Sequence, residues 1–153
     1  MRAHYEFDTV LLPTAVVGAL TDFSERRPDL WPNLDPAKYQ VHERGDTWAV
    51  VTEGSPRPDV WSRERYDWSI PGRVSWTVEE SNFCAPGSGM VASVTPGGKG
   101  GSHVAIDWER IPTSPKGYLV AVVVRLAKDR VLGLRATLDK MARTTGEGQH
   151  QGG

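Results

Sequence analysis

KGYLVAVVVRLAKDRVLGLRATLDKMA, residues 116–142, is where the chain changes its period. Just before it, HVAIDWER (103–110) alternates apolar and polar residues, the pattern of a half-buried strand. Inside it, Leu119, Val122, Val123, Leu126, Leu134, Leu138 and Met141 recur at three- and four-residue steps, with Arg125, Lys128, Asp129, Arg135 and Asp139 between them. The spacing predicts one long amphipathic helix. About 25 residues at ~1.5 Å rise span roughly 37 Å, against ~20 Å for a typical strand. Such a helix can cross a whole sheet, and Gly133 permits a local bend or a close approach.

Upstream of the switch the pattern is of strands joined by hairpins. HYEFDTVL (4–11) alternates as a first strand. Pro13 opens a short helix over AVVGALTDF, and Ser24 is placed to cap a second, ERRPDLW, which Pro32 ends. KYQVHER and TWAVVTE flank Gly45-Asp46, a two-residue hairpin signal. VWSRERYDWS and RVSWTVEESNF flank Ile70-Pro71-Gly72, and GMVASVT and HVAIDWER flank PGGKGGS (96–102). A phosphate-cradling glycine loop needs a helix after it. This one leads into a strand, so it reads as a hairpin.

Hairpin connections imply an antiparallel sheet with one face free to pack on the helix. A three-residue turn pairing Ser69 with Arg73 puts Arg63 opposite Glu79 on a wet face. The opposite face then carries Ser62, Glu64, Tyr66 and Trp68 beside Val74, Trp76, Val78, Glu80 and Asn82. Pairing Val94 with Val104 sets Met90, Ala92, Val94, Val104, Ile106 and Trp108 inward, and Tyr39, Val41, Trp48 and Val50 form the matching set of the first hairpin. These sets are expected to form one concave face.

The composition narrows the function classes. Lys plus Arg total 18 and Asp plus Glu 19, a net charge of −1. No basic stripe longer than Arg26-Arg27 exists, so neither nucleic acid nor an anionic membrane is an expected partner. No apolar stretch reaches the ~18 residues of a membrane span. The single cysteine, Cys84, excludes an internal disulfide, and the charged start MRAHYEFDTV lacks the apolar core of a signal peptide. A cytoplasmic domain over residues 1–142, with a disordered polar tail at 143–153, is expected. The four histidines (4, 42, 103 and 150) fall on outer faces, the first strand and the tail, giving no metal cluster and no Ser-His-Asp arrangement; no cofactor is expected.

The order of elements carries a resemblance. LTDF (20–23) followed by Trp31-Pro32-Asn33-Leu34, WSIPGRVSW at 68–76, GGSHVAIDW at 100–108 and the long terminal helix together resemble the SRPBCC superfamily. This is the START/Bet v 1-like group that includes bacterial polyketide cyclase/dehydrase and lipid-transport proteins. The likeness spans residues 4–142. It implies an α+β helix-grip fold: a curved antiparallel sheet of about seven strands around the C-terminal helix, with two short helices after the first strand plugging one end of a hydrophobic cavity. Trp31 would sit at the cavity edge.

The expected ligand site therefore comprises Trp31, Tyr39, Trp48, Glu64, Tyr66, Trp68, Trp76, Glu80, Asn82, Met90 and Trp108. Aromatic walls with a few placed polar groups are the composition of a small-molecule pocket. Glu64 and Glu80, diagonal neighbours at ~7–8 Å in this register, are the candidate acid and base. Arg63 and Arg65 point outward, which counts against an arginine-dependent cyclase mechanism. Arg26-Arg27 reads as a solvated helix face and Trp61 as an outward edge residue. Three functions remain open: a carrier or sensor for a hydrophobic, lipid- or polyketide-like molecule; a cyclase/aromatase or dehydratase using the same cavity; and an interaction protein with a vestigial one.

Overall fold

The computed structural model describes residues 1–126 and 134–150. Strand β1 (Arg2–Thr9) is followed by helices α1 (Pro13–Leu20) and α2 (Arg27–Leu30) and a 3-10 turn (Pro36–Lys38). Strands β2 (Gln40–Arg44), β3 (Trp48–Ser55), β4 (Val60–Asp67), β5 (Arg73–Ser81), β6 (Gly89–Pro96) and β7 (Ser102–Glu109) then run in succession, and helices α3 (Pro115–Leu126) and α4 (Leu134–His150) follow. The seven strands form one antiparallel sheet in the order β1-β7-β6-β5-β4-β3-β2. The α+β class and the seven-stranded sheet match expectation. Lys128, Asp129 and Gly133, part of the expected single helix, lie outside the described residues. Helix α4 is described through His150, into the segment expected as a tail.

The core lies between the sheet's inner face and the helices. Val16 and Leu20 of α1, Phe23 after it, Ala121 and Val124 of α3, and Leu134 and Leu138 of α4 are buried against Ala49, Val51, Tyr66, Val74, Trp76, Ala92, Val104, Ile106 and Trp108. Alternation within each strand supplies this face. Each buried Val or Leu contributes ~1.5–3 kcal/mol over leaving it exposed, so this layer is the main driving force for closing helices onto sheet.

Two local departures from ideal pairing decide the site. Val94 does pair with Val104, and Tyr66 with Trp76, as the turn chemistry predicts. Beyond Glu64↔Val78, however, the register slips so that Arg63 faces Glu80 instead of Glu79. Glu79 is the extra residue of a bulge, and a one-residue slip moves every later side chain to the other face. The first hairpin also differs. Gly45 N–H bonds Trp48 O, so Asp46-Thr47 occupies the turn and Arg44 pairs with Ala49. Ala49 and Val51, opposite Tyr66 and Glu64, face inward, and Trp48 and Val50 face out. The run Ala49-Val50-Val51 is apolar throughout, so its phase could not be read from alternation.

Helix α2 is a single turn. Arg26 stands at its N-cap position in place of Ser24, whose Oγ accepts the Arg26 N–H. Trp31 leaves the helix at φ −112°, ψ 101°, the extended backbone that the following Pro32 enforces. Trp-Pro is thus the device that stops the helix.

Candidate functional site

A pocket of about 260 Å³ opens between α2, the strands β3–β5 and Leu134 at the start of α4. Leu20, Trp31, Leu34, Val60, Trp61, Trp76, Phe83, Met90 and Leu134 form its apolar walls. Four charged side chains and one phenol meet in its interior: Arg27, Glu53, Glu64, Arg110 and Tyr66.

These five form one chain of contacts. Arg27 is 5% exposed. Its Nη1 donates to Leu20 O and Asp22 O, both at 3.1 Å, so it satisfies carbonyls left open where α1 ends. Its Nη2 lies 3.2 Å from Glu53 Oε1 and 3.4 Å from the Tyr66 hydroxyl. The guanidinium carbon stands 4.5 Å from the Phe23 ring centre, 5.5 Å from that of Tyr66 and 5.9 Å from that of Trp31, within cation–π range of all three. Tyr66 Oη donates to Glu53 Oε1 at 2.6 Å and lies 3.5 Å from Glu64 Oε2. Arg110 Nη2 reaches Glu64 Oε1 at 3.3 Å, while its Nη1 donates to Glu109 O at 3.1 Å. A guanidinium therefore closes each end, and two carboxylates share one phenol between them.

Burial sets the protonation states. Glu64 is fully enclosed, and desolvation pushes its carboxyl up to about 7; Arg110 opposes that shift and the Glu53 charge adds to it. Burial also pushes the Tyr66 hydroxyl well above its ordinary value, reinforced by both carboxylates, so it stays neutral. Desolvation disfavours the Arg27 charge, but Glu53 and Tyr66 outweigh it and its pKa is raised. Two cations thus face two carboxylates, of which Glu64 titrates near neutrality.

Of the residues expected from the sequence, Trp31, Glu64, Tyr66, Trp76 and Met90 line this pocket. The other six do not. Tyr39 donates to Ser24 O at 3.1 Å and fixes the loop before α2. Trp48 faces outward under Arg65, whose guanidinium carbon is 4.6 Å from its ring centre. Trp68 packs on Phe23 at 5.8 Å, and Trp108 is buried in the core beneath Arg110. Glu80 and Asn82 are exposed, displaced by the bulge at Glu79. Asn82 Oδ1 instead accepts the Trp61 N–H at 2.9 Å, tying the end of β5 to β4. The expected Glu64–Glu80 pair does not form, and the carboxylate that accompanies Glu64 is Glu53.

Arg27, Glu53 and Arg110 were missed, and Trp61, expected outside, lines the pocket. A signal existed for one of them. Arg110 continues the inward parity of Val104, Ile106 and Trp108. Among the described residues no group of three or more His, Cys, Asp or Glu side chains could hold a metal ion. Nor is any described helix long and apolar enough to cross a membrane.

No protein-family model matches the sequence, and no curated protein matches it. Solved structures do match. The aromatase/cyclase Zhui from Streptomyces sp. R1128 superposes with a TM-score of 0.75 at 12% identity, covering 95% of each chain. A START superfamily protein from Mycobacterium smegmatis gives 0.69 at 11% identity, over 92% of this chain and 98% of that one. Norcoclaurine synthase from Thalictrum flavum, solved with dopamine and hydroxybenzaldehyde, gives 0.67 at 15% identity, over 94% and 87%. The fold is the helix-grip fold. At these identities the helix-grip likeness carries architecture and no residue roles.

Proposed function

We propose that the protein binds a compact apolar or aromatic small molecule in the pocket beside α2. The observation that carries this reading is an open pocket with tryptophan and phenylalanine walls around a buried charged cluster. A domain needing only a core would avoid enclosing two guanidiniums and two carboxylates, because apolar replacements of similar volume are often more stabilising. Ligand sites combine apolar walls with a few convergent polar groups of this kind. The norcoclaurine synthase structure, which shares the fold, was solved with two single-ring compounds, and this supports a ligand of that size.

Trp31, Trp61 and Trp76 in the walls supply the test. Titrating naphthalene, indole and flavonoid probes should quench or shift tryptophan emission and raise the melting temperature by linkage. Absence of both responses at solubility-limited concentrations would sink the binding reading.

A second reading rests on Glu64. A pocket carboxyl pushed to about 7 is matched to general acid–base work at neutral pH, with Tyr66 and Arg110 to orient it. Glu64→Gln separates the two. A binder keeps its affinity for neutral ligands, whereas an enzyme loses turnover by roughly 10²–10⁴-fold.

A further inference from the structure

We propose that the pocket takes a compact aromatic carboxylate of one or two rings, seated against Arg110, and that Glu64 takes up a proton as the ligand binds. This deepens the ligand-binding reading above and rests on it.

Size comes first. A cavity of about 150 Å³ suffices for benzene, so about 260 Å³ admits one ring with substituents or a fused pair. An extended fatty acyl or poly-ketone chain would have to run out through the pocket's open side.

Charge comes next. Both terminal nitrogens of Arg27 are committed, Nη1 to two backbone carbonyls and Nη2 to Glu53 and Tyr66, and only its buried Nε is without a partner among the described residues. Arg110 is held differently. Besides a carbonyl, Glu64 at 3.3 Å is its one hydrogen-bonding, charged partner among the described residues; its guanidinium carbon also stands 5.5 Å from the Trp108 ring centre, and the residue is 7% exposed. Arginine stays charged at any ordinary pH, so protonating Glu64 leaves a buried cation without its counter-charge. An incoming carboxylate restores it, and the protonated Glu64 can donate to that same carboxylate. The balance is one ligand anion and one solvent proton entering together.

The groups facing Glu64 allow this exchange near neutrality. They are Arg110 beyond β7, Glu53 of β3, Arg27 of α2, and Ser62 and Tyr66 of β4 itself. Burial and Glu53 favour the protonated carboxyl, which titrates at about 7. A cationic ligand would instead meet Arg110 and Arg27. A neutral alcohol would bind without changing the proton count.

Calorimetry with 2-naphthoate, ionised throughout the range used, and its neutral analogue 2-naphthalenemethanol tests the proposal at pH 6 and pH 8. Naphthoate should bind roughly 10-fold tighter at pH 6, with proton uptake approaching one per ligand at pH 8 in buffers of different ionisation enthalpy; the alcohol should bind equally at both. Glu64→Gln mimics the protonated carboxyl, so it should bind naphthoate at pH 8 as tightly as the unmodified protein does at pH 6. Arg110→Met should lose naphthoate at both pH values and keep the alcohol. Naphthoate affinity independent of pH, or a pH dependence that survives Glu64→Gln, overturns the proposal. Binding of the alcohol without naphthoate overturns it while leaving the ligand-binding reading intact. Failure of both probes removes the two together.

Discussion

The Tyr66 hydroxyl donates a 2.6 Å hydrogen bond to Glu53 Oε1 on the neighbouring strand, which makes it the hinge between the two charged halves of the pocket. Its ring also stacks on Trp76 with centroids 5.2 Å apart. Tyr66→Phe keeps the stacking and removes the bond to a charged acceptor. Hydrogen bonds to charged groups contribute about 1.5–3 kcal/mol. Chemical denaturation should show a loss of that order with an unchanged m-value.

Arg27 should tolerate no replacement. Removing one partner of a buried ion pair costs about 3–5 kcal/mol, because the other charge is left uncompensated. Arg27→Met strands Glu53 and also the carbonyls of Leu20 and Asp22. Arg27→Lys keeps the charge without the planar fork that reaches all four partners. Both variants should therefore melt well below the unmodified protein, with lysine recovering only part of the loss. A lysine variant of full stability would show that charge alone is what the site needs.

These residues mark where sequence reading succeeds and where it stops. The period change near residue 116, the Ile70-Pro71-Gly72 turn and the Val94↔Val104 register were legible, because each is a local pattern with one favoured geometry. Trp76 and Trp108 are accordingly buried as expected. The bulge at Glu79 was not legible, since nothing in Val78-Glu79-Glu80 marks which residue is extra. Without that bulge Glu80 and Asn82 read as inward; with it they are exposed. Likewise the all-apolar Ala49-Val50-Val51 hid the phase of β3, and with it the inward position of Glu53. Arg27 illustrates a different limit: exposure is the prior for an arginine on a short helix, and only the tertiary meeting of Phe23, Tyr66 and Glu53 reverses it.

Gly117 offers a test of how α3 supports the pocket. A Cβ built there would overlap the backbone oxygen of Phe83, whose side chain is part of the pocket wall. Backbone cannot swing aside as a flexible side chain does. Gly117→Ala must therefore lift the first turn of α3 or push the Phe83 segment, an overpacking cost of about 1–3 kcal/mol or more. The melting temperature should fall, and bound aromatic probes should be released with it. A neutral substitution would mean that α3 does not rest on Phe83.

Stability should depend on pH through two separate windows. Glu64 has its folded value raised from 4.5 to about 7, so the folded state holds the proton more tightly than the unfolded chain. Its contribution is fully present below about 4.5 and is lost as the pH rises to about 7. The shift corresponds to about 3 kcal/mol, and Glu64→Gln should abolish it. On the opposite side of the sheet, His4 is raised by its hydrogen bonds to Asp107 and Glu6, and His103 by those to Glu6 and Asp8. Their contribution is present below 6.5 and disappears as the pH rises through their folded values. These four side-chain contacts are exposed, so this second window should shrink at high salt while the Glu64 window persists. Denaturation from pH 4.5 to 9 on the unmodified protein, Glu64→Gln and the double variant His4→Gln/His103→Gln separates them. The first variant should flatten the curve below pH 7 only, and the second should flatten it above 6.5 only. An unchanged slope below pH 7 in Glu64→Gln would show that this carboxyl is ionised in the folded protein, and would remove the basis for both its acid–base role and its proton uptake.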